Sequence, residues 1–263
     1  MTTSSRSRRL LAAVAAIGVS VIFAVPASAS PSLSAGGSGQ SGYNAIPSKV
    51  SENVPSWGFE ATATTEFGDE VNLGGSGRSL ESMSVLLSSW GCQSGTWYGR
   101  NCVTTAGATF EVPVTFTIYE DVYGTPGAVL ASRTETATIA YRPSASPECT
   151  GDDAGKWFNP KDRTCYNGLP QTVEMAFDGT TLPDQVIWSV SYNTSHYGHP
   201  AVGEEACFFE DGGCGYDALN VGAFSYPKAP FSGWDTNEDE AFVNGSMQAD
   251  WTGFRPLASI VTK

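Results

Sequence analysis

Apolar and polar residues alternate along much of this chain with a period of two. The clearest stretch runs from Thr109 to Tyr119, where every residue of one parity is apolar: Phe110, Val112, Val114, Phe116 and Ile118. Successive side chains of a β-strand point to opposite faces, so the pattern places these residues on a single face. We therefore predict a half-buried strand here.

Further segments have strand-like patterns, while helical periodicity is nearly absent after residue 29. The segments are 59–65, 70–73, 80–88, 129–141, 172–177, 185–192, 218–225 and 257–262. Turn-forming Gly, Pro, Asn and Asp residues separate them. Many short strands without helices predict an all-β fold, an antiparallel β-sandwich of the jelly-roll type.

Long and short connections alternate between the predicted strands. The long loops cover 90–108, 142–171 and 193–217, and short turns cover 121–128 and 178–184. Every second connection of an antiparallel fold lies at the same end, because each strand reverses the direction of the chain. We expect the three long loops together at one end, where binding and catalysis usually occur.

The N-terminus has the three parts of a secretory signal peptide. Arg6, Arg8 and Arg9 precede an apolar run from Leu10 to Val25, and small residues follow before position 30. The run is shorter than the roughly 20 residues that a membrane span needs, which argues against the alternative of an uncleaved anchor. We predict a signal peptide at 1–29, a flexible Gly/Ser-rich leader at 30–42 and a single β-sandwich domain at 43–263. The mature protein should be secreted and extracellular.

The formal net charge of −13 limits the possible partners. A surface this acidic repels nucleic acid and anionic membranes, so neither is expected as a partner of the mature form. Solubility in an external medium explains the charge most simply, and we expect a monomer.

The six cysteines form three close pairs along the chain, each inside one of the long loops. Cysteines of even number on an exported chain indicate disulfides. The spacing favours local bridges: Cys92–Cys102, Cys149–Cys165 and Cys207–Cys214. A core of this size does not need them to fold, so we expect them to hold the loops still.

Aromatic residues are frequent in the long loops. An aromatic ring can stack on the apolar face of a sugar while its polar tip forms a hydrogen bond. We predict Trp97, Trp157 and Tyr197 as ligand-binding residues for a polysaccharide or cell-surface glycan. The alternative is that such rings fill small satellite cores beneath the loops.

The same loops carry carboxylates that allow other chemistry. The set comprises Glu148, Asp152, Asp153, Asp162, Glu204, Glu205, Glu210, Asp211 and Asp217. Two facing carboxylates could hydrolyse a glycosidic bond, and an oxygen-rich cluster could bind calcium. His196 and His199 could supply zinc ligands with Glu204, although the helical HExxH arrangement is absent. No cofactor is expected, apart from the possible calcium.

Several short motifs resemble a family of secreted actinobacterial proteins. They are Tyr43-Asn44-Ala45-Ile46-Pro47, Val54-Pro55-Ser56-Trp57-Gly58-Phe59-Glu60-Ala61, Thr65-Glu66-Phe67-Gly68-Asp69, Trp90-Gly91-Cys92, Tyr141-Arg142-Pro143, Cys165-Tyr166-Asn167-Gly168, Thr181-Leu182-Pro183 and Leu219-Asn220-Val221-Gly222. The resemblance covers most of residues 43–263. It implies an extracellular β-sandwich and carries over no catalytic or binding residue.

These observations favour a secreted, non-catalytic binding protein whose glycan ligand is held at the loop end. The alternatives are a secreted carbohydrate-active hydrolase with paired loop carboxylates, and a structural or surface-interaction protein without a small ligand.

Overall fold

Two seven-stranded antiparallel sheets make up most of the computed structural model, which describes residues 40–50, 54–59, 62, 64–97, 99–192, 219–224, 229–251 and 253–263. Sheet I contains β1 (Gln40–Asn44), β2 (Ser56–Gly58), β4 (Leu80–Ser89), β9 (Leu169–Ala176), β11 (Leu219–Phe224), β15 (Arg255–Pro256) and β16 (Ala258–Thr262). Sheet II contains β3 (Glu66–Asn72), β5 (Thr109–Asp121), β6 (Pro126–Ala140), β10 (Gln185–Tyr192), β12 (Trp234–Asp235), β13 (Ala241–Val243) and β14 (Ser246–Gln248). A separate hairpin consists of β7 (Trp157–Asn159) and β8 (Thr164–Tyr166).

Strand β4 is the centre of sheet I. Along one side it pairs with β9. Along the other side its first part pairs with β16 and its last residues pair with β11. The second edge of β16 pairs with β1, so the last strand of the chain lies between β1 and β4. The short strands β2 and β15 extend the sheet beyond β11.

Sheet II has the order β14-β13-β3-β10-β5-β6, and β12 also pairs with β3. The apolar parity of β5 faces inward as predicted, and all five of its side chains are buried. They meet inward side chains of sheet I, such as Met83 and Val85, in one continuous hydrophobic cluster. Trp188 of β10 is its largest fully buried apolar side chain. The predicted antiparallel β-sandwich is confirmed.

Helical structure within the described ranges is limited to 3-10 geometry, at Gly151–Asp153 and at Thr62. Over the same ranges, no helix is long and apolar enough to cross a membrane. The predicted signal peptide at 1–29 lies outside the described residues.

Several parts of the chain differ from the sequence-based expectation. Residues Gln40 to Gly42 belong to β1 and not to the predicted flexible leader, because Gln40 and Ser41 pair with β16. The described residues of the predicted strand 59–65, which are 59, 62, 64 and 65, are not in a strand, and Thr64 N donates to Phe59 O at 2.8 Å. The pattern of side chains does not predict the short strands β2, β7, β8, β12, β13, β14 and β15.

Candidate functional site

The strand registers bring two long loops, 90–108 and 141–168, to the same end of the sandwich. Ser89, the last residue of β4, is opposite Leu169, the first residue of β9. Thr109 and Ala140, where β5 begins and β6 ends, are likewise opposite one another. We call these two loops the loop end. The short turns after β5 and β9 lie at the other end, as predicted from the alternation of connections.

The third long connection leaves and re-enters the sandwich at the same end. It follows Tyr192 of β10 and precedes Leu219 of β11, and Tyr192 Oη donates to Leu219 O at 2.7 Å. The connection itself lies outside the described residues. The predicted disulfide partners Cys207 and Cys214, the ligand candidate Tyr197 and the possible zinc ligands His196, His199 and Glu204 lie there too.

Each described loop contains its predicted disulfide. Cys92 is bonded to Cys102, and Cys149 is bonded to Cys165. The Cα atoms are 5.3 Å and 5.9 Å apart, the ordinary range for a disulfide. Local pairing is thus confirmed for both.

Hydrogen bonds also connect the two loops to each other. Ala145 N donates to Cys102 O at 2.9 Å, and Thr104 N donates to Ser144 Oγ at 2.9 Å. Ser144 Oγ in turn donates to Thr104 O at 3.1 Å. The loop end is therefore one cross-linked body, which keeps its side chains in place before any ligand arrives.

Arg142 is buried beneath the two loops and contacts both of them. Its side chain is fully buried, its backbone N donates to Gly91 O at 3.0 Å, and Nη2 donates to Gly155 O at 2.8 Å. Burial lowers the pKa of Arg142 to about 10, so the guanidinium remains charged at neutral pH. Its contacts span both loops, which assigns it a structural role.

Trp97 is the predicted ligand-binding residue whose ring remains partly exposed. Its indole meets that of Trp90 edge to face, with ring centroids 4.8 Å apart. Trp90 Nε1 donates to Ser88 Oγ at 3.2 Å, which fixes the supporting ring at the end of β4. Trp97 is therefore a partly accessible indole on a rigid base.

Trp157 is placed differently, with only 6% of its surface exposed. Its Nε1 donates to Gly168 O at 3.2 Å, and its ring packs on Tyr166 of the paired strand β8. The short β7–β8 hairpin has little other apolar filling, so these two rings form its small core. The burial of Trp157 argues against the predicted ligand-stacking role.

Two of the described loop carboxylates have structural partners. Asp153 forms an ion pair with Lys156 at 2.6 Å, and Asp162 accepts a hydrogen bond from Tyr166 Oη at 2.5 Å. Glu148 and Asp152 are exposed. In this part of the chain, no group of three His, Cys, Asp or Glu side chains is arranged to hold a metal ion. Glu205, Glu210, Asp211 and Asp217 lie outside the described residues.

A second aromatic group was not found by sequence reasoning. Trp57 of β2 contacts Trp251, with ring centroids 4.3 Å apart, and Phe254 lies 6.2 Å from Trp57. All three rings are partly exposed, and the two tryptophan rings pack on buried Phe67. No spacing rule connects positions 57 and 251, so the sequence carried no signal for this cluster.

Four polar side chains are buried together between the sheets, and sequence reasoning missed these as well. We call Tyr43, Asp69, Asp235 and Arg255 the buried polar cluster. Arg255 Nε donates to Asp235 Oδ2 at 2.9 Å, and Asn237 N donates to Asp235 Oδ1 at 3.1 Å. One signal was available, because Asp69 has the same parity as the apolar residues Phe67 and Val71.

Burial dominates the electrostatics of this cluster. It raises the pKa of Asp235, although the hydrogen bond and charge of Arg255 act in the opposite direction. It also raises the pKa of Tyr43 well above the usual value, so the phenol stays neutral.

The chain matches no protein-family model, no curated protein and no solved structure.

Proposed function

We propose that this protein is an extracellular, non-catalytic binding protein that holds a glycan at the loop end. The observation that carries the proposal is the position of Trp97. Its indole is partly exposed, supported edge-on by Trp90, and set on a loop closed by the Cys92–Cys102 disulfide. A rigid aromatic ring can stack on a sugar with little loss of conformational entropy.

The rigidity of the loop end supports binding in a second way. Two loops that are closed by disulfides and bonded to each other need little ordering when a ligand arrives. Preorganisation of this kind increases affinity by reducing the entropic cost of association. The net charge of −13 disfavours polyanionic chains, so the proposed ligand is a neutral glycan.

Export is part of the proposal. The charged start, apolar run and small residues of 1–29 support it, and two formed disulfides fit an oxidising compartment. Membership of the secreted actinobacterial family that the sequence resembles belongs to the same proposal. The described carboxylates give no specific support to the hydrolase alternative, because Asp153 and Asp162 have structural partners.

A glycan array followed by pull-down on insoluble polysaccharides tests the proposal. The mature protein should bind at least one neutral glycan, and Trp97→Ala should weaken binding about tenfold, or about 1.4 kcal/mol. Trp234→Ala is the matched control, because Trp234 is 56% exposed and pairs with Asn72 at the opposite end of β3. Absence of glycan binding, or equal affinity of Trp97→Ala and wild type, would contradict the proposal.

A further inference from the structure

Residues 229–236, here called the closing segment, connect the two sheets along one side of the sandwich. On the sheet I side, Phe231 N donates to Asn44 O at 2.7 Å. On the sheet II side, β12 pairs with β3, and Thr236 N donates to Glu70 O at 3.0 Å. Backbone hydrogen bonds therefore hold the closing segment to both sheets.

The buried polar cluster adjoins this segment. It contains two carboxyl groups, those of Asp69 and Asp235, and one guanidinium, that of Arg255. Arg255 is bonded to Asp235, which belongs to the closing segment. Asp69 is 1% exposed, accepts a hydrogen bond at Oδ1 from Glu70 N, and has no partner at Oδ2 among the described residues. The buried Tyr43 Oη also has no partner there. A buried carboxylate without its own counter-charge is strongly destabilised, so the neutral acid is favoured.

Some groups around Asp69 raise its pKa, and others lower it. Burial raises its pKa well above the usual value, and the negative charge of Asp235 raises it further. The Glu70 N–H and the charge of Arg255 lower it, and the Glu70 carboxylate raises it. Tyr43 faces the cluster from β1 as a neutral phenol.

Glu238 is a further charged group, and it lies beside Arg255. Its Oε1 lies 3.7 Å from Arg255 Nη2. The negative charge of Glu238 raises the pKa of Asp235. Arg255 already has Asp235 and Glu238 as ionic partners, although its Nη1 and Nη2 have no hydrogen-bond partner among the described residues. An ionised Asp69 would therefore be a third carboxylate near one guanidinium.

We propose that the closing segment is a pH-sensitive seam, held between the two sheets while Asp69 is neutral and loosened when Asp69 ionises. Ionisation places a second negative charge beside Asp235. The repulsion acts on the side chain that fixes the closing segment to Arg255. The large apolar side chains of the segment, Phe231 and Trp234, are 67% and 56% exposed and add little buried surface.

The direction of the pH effect follows from linkage. The pKa of Asp69 is higher in the folded protein than in the unfolded chain, where aspartate has a pKa of about 3.9. The stabilising contribution is fully present below that value and is lost as the pH rises through the folded pKa. The closing segment should therefore be held firmly between the sheets in mildly acidic solution and less firmly at higher pH.

Hydrogen exchange of the wild-type protein measures directly how firmly the closing segment is held. After correction for the chemical exchange rate, the amides of Asn44, Phe231 and Thr236 should exchange about fivefold faster above the Asp69 transition than below it. Amides of the β5–β10 ladder should not change with them. Exchange at these three amides that is independent of pH, or that follows the global unfolding rate, would overturn the proposal.

Asp69→Asn provides the variant test, because it keeps the shape of the side chain and removes its charge. In this variant the three amides should stay protected at all pH values, and the decrease of stability with rising pH should become smaller. Asp178→Asn is the control, since Asp178 is exposed and its loss should leave the wild-type pH profile. Equal pH profiles of wild type and Asp69→Asn would refute a role for Asp69.

Discussion

Arg255 and Asp235 form a buried ion pair, with Nε donating to Oδ2 at 2.9 Å and side chains that are 2% and 3% exposed. The pair connects β15 of sheet I with β12 of sheet II. Because both charges are removed from water, each depends on the other for compensation.

Removal of one partner should therefore be costly. Arg255→Met leaves a buried, uncompensated carboxylate at Asp235, and we expect a loss of about 3–5 kcal/mol in the free energy of unfolding. Arg133→Met is the control, because the Arg133–Glu135 pair is 45% and 42% exposed, and a loss below about 1 kcal/mol is expected. Denaturant titration measures both, and equal losses would contradict the assignment.

Glu70 should make the protein less stable at neutral pH than at mildly acidic pH. Burial and the nearby Asp121 raise its pKa, and the hydrogen bond from Gln185 opposes them. Stability linked to this group is present below the unfolded pKa of about 4.3 and is lost as the pH rises through the folded value.

Glu70→Gln should flatten that part of the profile. The amide oxygen can still accept from Gln185, so the change is mainly one of charge. Unfolding measured between about pH 4 and 8 should show a smaller decrease than in the wild type. Glu111→Gln, at an exposed carboxylate that accepts from Thr138 Oγ1 at 2.7 Å, should retain the wild-type slope.

The Cys149–Cys165 disulfide should stabilise its loop without being required for the fold. The chain-entropy model assigns about 3 kcal/mol to a loop of this length. The Cys149→Ala/Cys165→Ala variant should keep the circular dichroism of the β-sandwich and lose about that free energy of unfolding. Hydrogen exchange should increase mainly within 141–168. A variant that no longer folds would show that the bridge supports the core.

Replacement of Gly233 should lower the free energy of unfolding, because the backbone is crowded there. It has a φ of 67°, and a Cβ would lie 2.5 Å from Asn72 O and 2.7 Å from Gly42 O. Gly107 has a similar φ of 79° with no atom within 4 Å of a Cβ. Both alanine variants should lose about 1 kcal/mol for the left-handed conformation, and Gly233→Ala should lose about 2 kcal/mol more from the clash. Thermal unfolding of the two variants separates these effects.

The sequence predicted most of the long strands because their side chains decide their structure. The alternating residues of β5 face a hydrophobic core, and the predicted 185–192 coincides with β10. By contrast, β1 begins in a Gly/Ser-rich stretch, where Gly42 O accepts from Gly74 N at 2.6 Å. Backbone pairing with a distant segment leaves no mark on side-chain pattern.

The candidate site was only partly predictable for a related reason. Trp97 and Trp157 are the same residue type on long disulfide-containing loops, yet one is partly exposed and the other fills the β7–β8 hairpin. Their difference depends on which neighbours the loop brings to each ring. Parity could have placed Asp69 inside, but its meeting with Arg255 depends on the tertiary fold.

The position of β16 between β1 and β4 also determines when the molecule can fold. Gln40 is paired with Thr262, across almost the whole described chain. Until Ala258–Thr262 is available, β1 has no neighbour along that edge, and much of one side of β4 remains open. Contacts so distant in sequence make folding slow, because a long loop must close before they form. Sheet I can therefore be completed only after Ala258–Thr262 has paired on both of its edges.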